Sequence, residues 1–435
     1  MLVTNGGQLD LIRGAQAEIR AARSDADFYA AKISRVWARA ARTRAYAGIG
    51  PFDPHAFQAL APTPRARLKA DPWAFVATDW SGTAKYYETT GTTGQVTPTP
   101  RTFEDIVWNA VSVAEAWRSV LHEDDRVAIL LPSDIVPVAD LVVSTSEYLG
   151  LPHVRMYPFT TGISDLDRVI GLWPNLRPTV LFLAPGVAGQ LTRFLKQRGQ
   201  LDGMRESVRR ILLLGEVSTP ALRSRLGDWW GADVYDASYG STETGTLAAT
   251  CPQDRMHLLT TANYFELAAP DGTVTPLSEG ARGRLVVTPL NLYARPLLRL
   301  DTGDEVVVTE RCVCGNAAPV IEVGGRSSDV LRVRGVPLTV RAVEEIVYGV
   351  TASTGYLLEA DTTGDHARLL LERDVDGDRG REGAEIAAVQ DAFDAGLGIR
   401  WDSVSFVNLL PRTTKAGGSQ KSWKRSNIRI VERVS

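Results

Sequence analysis

This 435-residue sequence predicts a large N-terminal α/β domain with a β-rich flank, followed by a small α+β C-terminal domain. Three observations carry the prediction. Four short apolar runs (Val127 to Leu131, Thr179 to Leu183, Ile211 to Leu214, Val234 to Ala237) are separated by helix-sized gaps, the signature of parallel strands joined by crossover helices. Beyond about residue 283 the spacing tightens to close β-type runs such as Arg284 to Thr288 and Glu305 to Val308. The last block mixes short strands with one good helix at Val340 to Val350. A chain of this length exceeds the size at which one core stops growing, so two domains are expected, 1–326 and 327–435.

The elements follow in order. Residues 10–45 are Ala- and Arg-rich without proline and read as helical, whereas 51–75 hold several prolines and read as a connecting surface segment. Phe103, Ile106, Val107, Ala110, Ala114 and Trp117 recur at helical spacing. The stretches Asp361 to Asp365 and Asp374 to Gly383 read as exposed loops. With 44% hydrophobic and 23% charged residues and a net charge of −3, the chain has no basic field to draw it to nucleic acid or an anionic membrane. It has no apolar run of the roughly 20 residues a membrane span needs. Asp10 and Glu18 interrupt the start where a secretory leader would be apolar, and the three cysteines form no disulfide framework, so a cytoplasmic location is expected.

Five short segments could carry chemistry. Thr89-Thr90-Gly91-Thr92-Thr93-Gly94 follows the strand-like Tyr86-Tyr87; its glycines let backbone N–H groups approach an anion, and its hydroxyls can donate to phosphate oxygens. A flexible hydroxyl-rich turn would have the same composition. Tyr239-Gly240-Ser241-Thr242-Glu243 follows an apolar strand, where ligands bind in open α/β sheets, and a carboxylate beside phosphates is a natural Mg²⁺ ligand. The alternative there is an ordinary helix start capped by Ser241 or Thr242. Asp301-Thr302-Gly303-Asp304 reads equally as an acidic turn. Gly325-Arg326-Ser327-Ser328-Asp329 and the basic tail from Pro411-Arg412 through Lys421 to Arg425 complete the set.

Taken in order and spacing, these segments resemble the acyl/aryl adenylate-forming superfamily over roughly Tyr86 to Arg425. The run Cys312-Val313-Cys314-Gly315 leading to Val333-Arg334-Gly335-Val336 is most similar to phenylacetate-CoA ligases. The resemblance implies activation of a carboxylic acid, by its kind an aromatic one, as acyl-AMP with ATP and Mg²⁺. Transfer to a nucleophile follows: coenzyme A by resemblance, with an amine or a carrier-protein thiol using the same adenylate. It implies that Thr90, Thr92 and Thr93, with the amides of Gly91 and Gly94, hold the β/γ-phosphates. Thr242, after Gly240, would contact the α-phosphate and Glu243 would bind Mg²⁺. Tyr239 would stack on adenine, with Gly215 and Glu216 walling the same pocket. Asp304 would accept the ribose hydroxyls, Arg326 would lie on the ribose–phosphate side, and Lys421 would be the catalytic lysine, carried in and out by a mobile C-terminal lid.

Three departures stand out. Gln95 occupies a position usually held by lysine, Ser328 fills the hinge position, and the stretched Gly417-Gly418-Ser419-Gln420-Lys421 leaves Lys415 and Lys424 as rivals to Lys421. They motivate a second class of reading, a nucleotide-binding relative that has lost catalysis. Separately, Cys251, His257, Cys312 and Cys314 have C-x5-H and C-x-C spacing that would suit a closed structural Zn²⁺ site, or equally a set of buried metal-free thiols.

Overall fold

The computed structural model describes residues 5–89, 96–160, 163–216, 218–326, 331–411 and 427–431. The chain resolves into two compact units that interleave along the sequence. One comprises 1–127, 132–154 and 237–324; the other comprises 128–131, 155–236 and 325–435.

The first unit is built on a nine-stranded sheet. Its path runs Ser238–Ser241, Gly245–Thr250, Met256–Leu258, Val320–Arg326, Leu300–Thr309, Arg282–Pro289, Asn263–Ala268 and Val274–Pro276, with Thr63–Pro64 pairing parallel to Leu300–Thr309 off that path. This is the β-rich flank that the close spacing predicted. Alternation decides which face is buried: Leu300, Thr302, Val306 and Val308 point inward along one strand, as do Leu285 and Val287 along its neighbour.

The N-terminal helical stretch is two helices, Gly6–Ala21 and Ala26–Ala40. Ala22 turns left-handed (φ 49°) and Asp25 starts the second helix by accepting the Phe28 N–H, so a cap interrupts what composition alone made continuous. The expectation of a surface connector over 51–75 is overturned. Phe57, Leu68 and Phe75 are buried in the same core as Trp37, Leu285 and Leu300, on short helices that the prolines at 54, 64 and 72 open rather than prevent. A second cluster packs Ala15 of the first helix against Val107, Trp108 and Val111 of the helix Phe103–Trp117, which a Thr102/Asp105 capping box opens.

The four apolar runs form strands of a separate five-stranded sheet. The sheet order is Asp233–Asp236, Arg210–Leu213, Val180–Leu183, Val127–Leu130 and His153–Arg155, and the first three pair in parallel. Val180–Leu183 is buried throughout, as expected of a strand covered on both faces. A four-stranded sheet follows in the order Ser403–Val407, Ala367–Glu372, Gly355–Asp361, Ile428–Val431, accompanied by helices Val340–Val350 and Glu382–Leu397. The α/β class with a C-terminal α+β segment is therefore as the sequence predicts. Among the described residues no helix is long and apolar enough to cross a membrane.

Candidate functional site

Two irregularities in the large sheet bring Tyr239 and Asp304 together. Arg284 pairs with Glu305 but Val286 pairs with Asp301, so Thr302, Gly303 and Asp304 stand opposite the single residue Leu285. Gly303 adopts φ +74°, and Thr302 Oγ1 donates to the Leu285 carbonyl, which fixes the bulge. The Asp301 to Asp304 segment is therefore a bulged strand rather than a free acidic turn. The segment Tyr239 to Glu243 is not a helix start either: it forms a hairpin between Ser238–Ser241 and Gly245–Thr250. A Cβ at Gly240 would lie 2.3 Å from the Gly245 carbonyl oxygen, so only glycine lets the hairpin close there. Across these strands the Tyr239 hydroxyl donates to Asp304 Oδ2 at 2.7 Å.

Glu243 sits in the hairpin turn, 2% exposed, with Arg65 Nη2 donating to its Oε1 at 3.0 Å. Burial alone would push this carboxyl up, but the Arg65 guanidinium, with Arg295 behind it, outweighs burial and holds the group down at about 2. The other oxygen, Oε2, is buried and has no hydrogen-bond partner among the described residues. An ionised carboxylate oxygen left without a partner in the interior fits a divalent cation better than it fits a finished ion pair.

Arg101 and Arg295 fix this turn from behind. Arg101 Nη2 donates to the carbonyls of Thr242 (2.6 Å) and Glu243 (3.1 Å). Arg295 donates to the Pro98 carbonyl (2.7 Å) and Thr99 Oγ1 (3.0 Å), and more weakly to the Glu243 carbonyl (3.5 Å). Burial and the charge of Arg101 push the Arg295 guanidinium down to about 9, leaving it protonated at neutral pH. Pro98 and Thr99 belong to the hairpin Lys85–Glu88/Pro98–Arg101, closed by Thr89 N–H to Thr97 O (3.2 Å) and Thr97 N–H to Thr89 Oγ1 (2.9 Å). The arginines thus tie the strand that follows the Thr/Gly segment to the Thr242–Glu243 turn.

Sequence reasoning missed Arg65, Arg101 and Arg295. Only Arg295 left a signal, as a cation among the apolar residues from Leu290 to Leu300. The expected residues Thr90, Gly91, Thr92, Thr93, Gly94, Ser328, Lys415, Lys421 and Lys424 lie outside the described residues, as does the side chain of Arg326. In the second unit, Gly215 turns at φ +85° after the strand Arg210–Leu213. The next residue, Glu216, accepts the Gly186 N–H at 3.1 Å, at the start of the helix Pro185–Gln197.

The Cys/His set also converges. The ligand atoms of Cys251, His257, Cys312 and Cys314 lie within 4.8 Å of one another, and no disulfide joins the cysteines. Cys251 Sγ and Cys312 Sγ are 3.7 Å apart, against about 3.8 Å for one edge of a tetrahedron with 2.3 Å Zn–S bonds. His257 Nδ1 contacts the Ala318 carbonyl at 3.0 Å, and a carbonyl only accepts, so this nitrogen carries the proton. The lone pair then rests on Nε2, 3.3 Å from Cys314 Sγ. Burial lowers the His257 pKa, which keeps the ring neutral as a metal ligand must be. The donor set therefore fits Zn²⁺ with no position left open.

A family model described as AMP-binding enzyme matches residues 80–284. The chain is 29% identical over 343 residues to a phenylacetate-coenzyme A ligase of Thermus thermophilus, covering 74% of each chain. It is 26% identical over 308 residues to the phenylacetate-coenzyme A ligase of Escherichia coli, covering 67% of each. Among solved structures, a 2-hydroxyisobutyryl-CoA ligase in the postadenylation state superposes with a TM-score of 0.76 at 18% identity, over 93% of this chain and 88% of that one. An anthranilate CoA ligase in complex with anthranoyl-AMP gives 0.53 at 18% identity, over 75% and 63%. These superpositions establish the fold.

Proposed function

We propose that this chain is an AMP-forming ligase of the adenylate-forming superfamily, which activates an aromatic carboxylic acid and passes the acyl group to coenzyme A. The observation that carries this reading is that one compact unit holds Tyr239, Asp304 and an ionised Glu243 whose Oε2 has no hydrogen-bond partner among the described residues.

In the first half-reaction a carboxylate oxygen of the acid attacks the α-phosphorus of ATP. The bond to the β-phosphate breaks, and pyrophosphate leaves with its electron pair. Asp304 accepts from the ribose hydroxyls while Tyr239, oriented by its bond to Asp304, lies against adenine. The resemblance counts Gly215 and Glu216 among the nucleotide-binding residues as well. Thr242 contacts the α-phosphate from a turn that Arg101 holds by its carbonyl. Thr90, Gly91, Thr92, Thr93 and Gly94 cradle the β- and γ-phosphates, with Arg326 on the ribose–phosphate side. Mg²⁺ on Glu243 Oε2, when bound, neutralises phosphate charge. Lys421 is the cation that meets the charge gathering between carboxylate and α-phosphate, among the larger contributions such a site makes.

In the second half-reaction the thiol of coenzyme A loses its proton and attacks the acyl carbon. A C–S bond forms, and AMP leaves on the oxygen it had shared. Residues 327–435 serve as the mobile lid that withdraws Lys421 between the two steps. Zn²⁺ on Cys251, His257, Cys312 and Cys314 is structural. Held by these four residues, it would pin the turn before the strand Val320–Arg326 to the strand Met256–Leu258, already paired with it through His257 and Val320.

The test is pyrophosphate release across a panel of aryl and alkyl acids, with and without coenzyme A. Release that depends on an aromatic acid, with thioester formed only when coenzyme A is present, supports the reading. Absence of release with every acid, in protein that binds AMP, would leave the non-catalytic alternative.

A further inference from the structure

Arg65 is the one cation bonded to the Glu243 side chain among the described residues, and nothing in the motifs that define the site includes it. Four facts describe its position. Arg65 follows directly on Thr63–Pro64, which pairs with Leu300 and Asp301 in the strand that carries Asp304. Thr63 N–H donates to the Arg299 carbonyl at 2.7 Å and Thr63 Oγ1 to the Leu298 carbonyl at 2.9 Å, so the backbone leading into Arg65 is held by the sheet. Its guanidinium occupies Oε1 of Glu243 and leaves Oε2, buried, without a partner among the described residues. It also lies close enough to Asp304 to feel its charge.

We propose that Arg65 is a positioning residue: it fixes the Glu243 carboxylate through Oε1 so that Oε2 is presented to the divalent cation that accompanies the nucleotide. This rests on the reading of Glu243 as a metal ligand. A carboxylate on a turn can rotate about its side-chain torsions, and each misdirected rotamer removes the oxygen from the metal. A planar guanidinium anchored at a strand end removes that freedom before the metal arrives, at the cost of one oxygen that a cation does not need. Partners that orient a ligand in this way are worth about 10- to 100-fold in metal affinity. The same strand sets Arg65 and, through the bulge at Leu285, Asp304, so the metal-binding and ribose-binding carboxylates share one rigid support.

The experiment measures binding rather than turnover. Mn²⁺ is titrated into the full chain with a non-hydrolysable ATP analogue and free Mn²⁺ is followed by electron paramagnetic resonance; AMP affinity is measured separately without metal. Arg65→Met should weaken Mn²⁺ at least about tenfold, Arg65→Lys should recover part of the loss, and metal-free AMP affinity should stay within about twofold because its contacts are elsewhere. Arg65→Gln gives a second neutral variant should the methionine protein fold poorly. Unchanged Mn²⁺ affinity in Arg65→Met and Arg65→Gln, with Glu243→Gln losing the metal, would overturn the proposal and leave Glu243 as ligand. A parallel fall in AMP affinity would also overturn it, since Arg65 would then hold nucleotide itself. Unchanged Mn²⁺ affinity in Glu243→Gln would remove the underlying reading and the proposal with it.

Discussion

Replacing Glu243 with glutamine keeps the shape of the side chain and removes its charge, which makes it a direct measure of what Arg65 and Arg295 do. The carboxyl is held at about 2 in the folded protein, against an ordinary value of 4.5. At about 1.4 kcal/mol per pH unit this amounts to roughly 3 kcal/mol of stability at neutral pH. Glu243 is buried, so solvent does not screen this contribution away. The sign follows from the depressed value: the contribution is complete above the unfolded-state pKa and is lost as pH falls toward the folded-state one. The wild type should therefore exceed Glu243→Gln by about 3 kcal/mol at pH 7, with about a quarter of that gap gone by pH 4 and more than half by pH 3. Urea unfolding of both proteins without nucleotide, repeated down the pH series, measures the gap. A gap that is under about 0.5 kcal/mol, or that does not change with pH, would refute the account of Glu243 as an arginine-held anion. In the same variant, adenylation should slow and its response to Mg²⁺ weaken; unchanged Mg²⁺ dependence would remove Glu243 from the metal site.

Three further expectations are open to test. Lys421→Ala should cut acyl-AMP formation by orders of magnitude while sparing transfer from pre-formed acyl-AMP. If Lys415→Ala or Lys424→Ala has that profile instead, the tail assignment is wrong. Purified protein should carry about one zinc per chain, and Cys312→Ser should lower thermal stability before it lowers turnover; elemental analysis finding no metal would sink the site. Substituted benzoates or arylacetates should give higher kcat/KM than medium-chain fatty acids, because a flat ring buries apolar area at little conformational cost. Octanoate outperforming every aromatic acid would reverse that while leaving adenylation intact.

Much of the architecture was legible because local patterns encode it. Apolar runs at crossover spacing located four strands of the five-stranded sheet to within about a residue, and the helix Val340–Val350 matched its periodic stretch. The misreadings have physical causes. Composition over 10–45 could not reveal that Ala22 would end one helix and Asp25 cap the next. Prolines over 51–75 suggested a surface connector because a break in periodicity looks the same whether the broken segment is exposed or, as with Phe57 and Leu68, packed into the core.

By itself the sequence determined the fold class and named the candidates: the Thr/Gly segment, Tyr239 to Glu243, Asp301 to Asp304, the basic tail, and the cluster of Cys251, His257, Cys312 and Cys314. Their order and spacing carry the resemblance, and the resemblance supplies their expected roles. What only the tertiary structure decided is how the site is held. Arg65 reaches Glu243 across 178 positions, and Arg295 links Pro98 to the Glu243 turn from the opposite direction along the chain. Three residues bulge against Leu285 to turn out Asp304. An ion pair of that separation has no period and no motif, and an arginine at the start of a six-residue helix reads as solvent-facing until the sheet brings a buried carboxylate to it. Local sequence specifies which groups can do the chemistry; burial and long-range charge, which exist only after folding, fix their ionisation and direction.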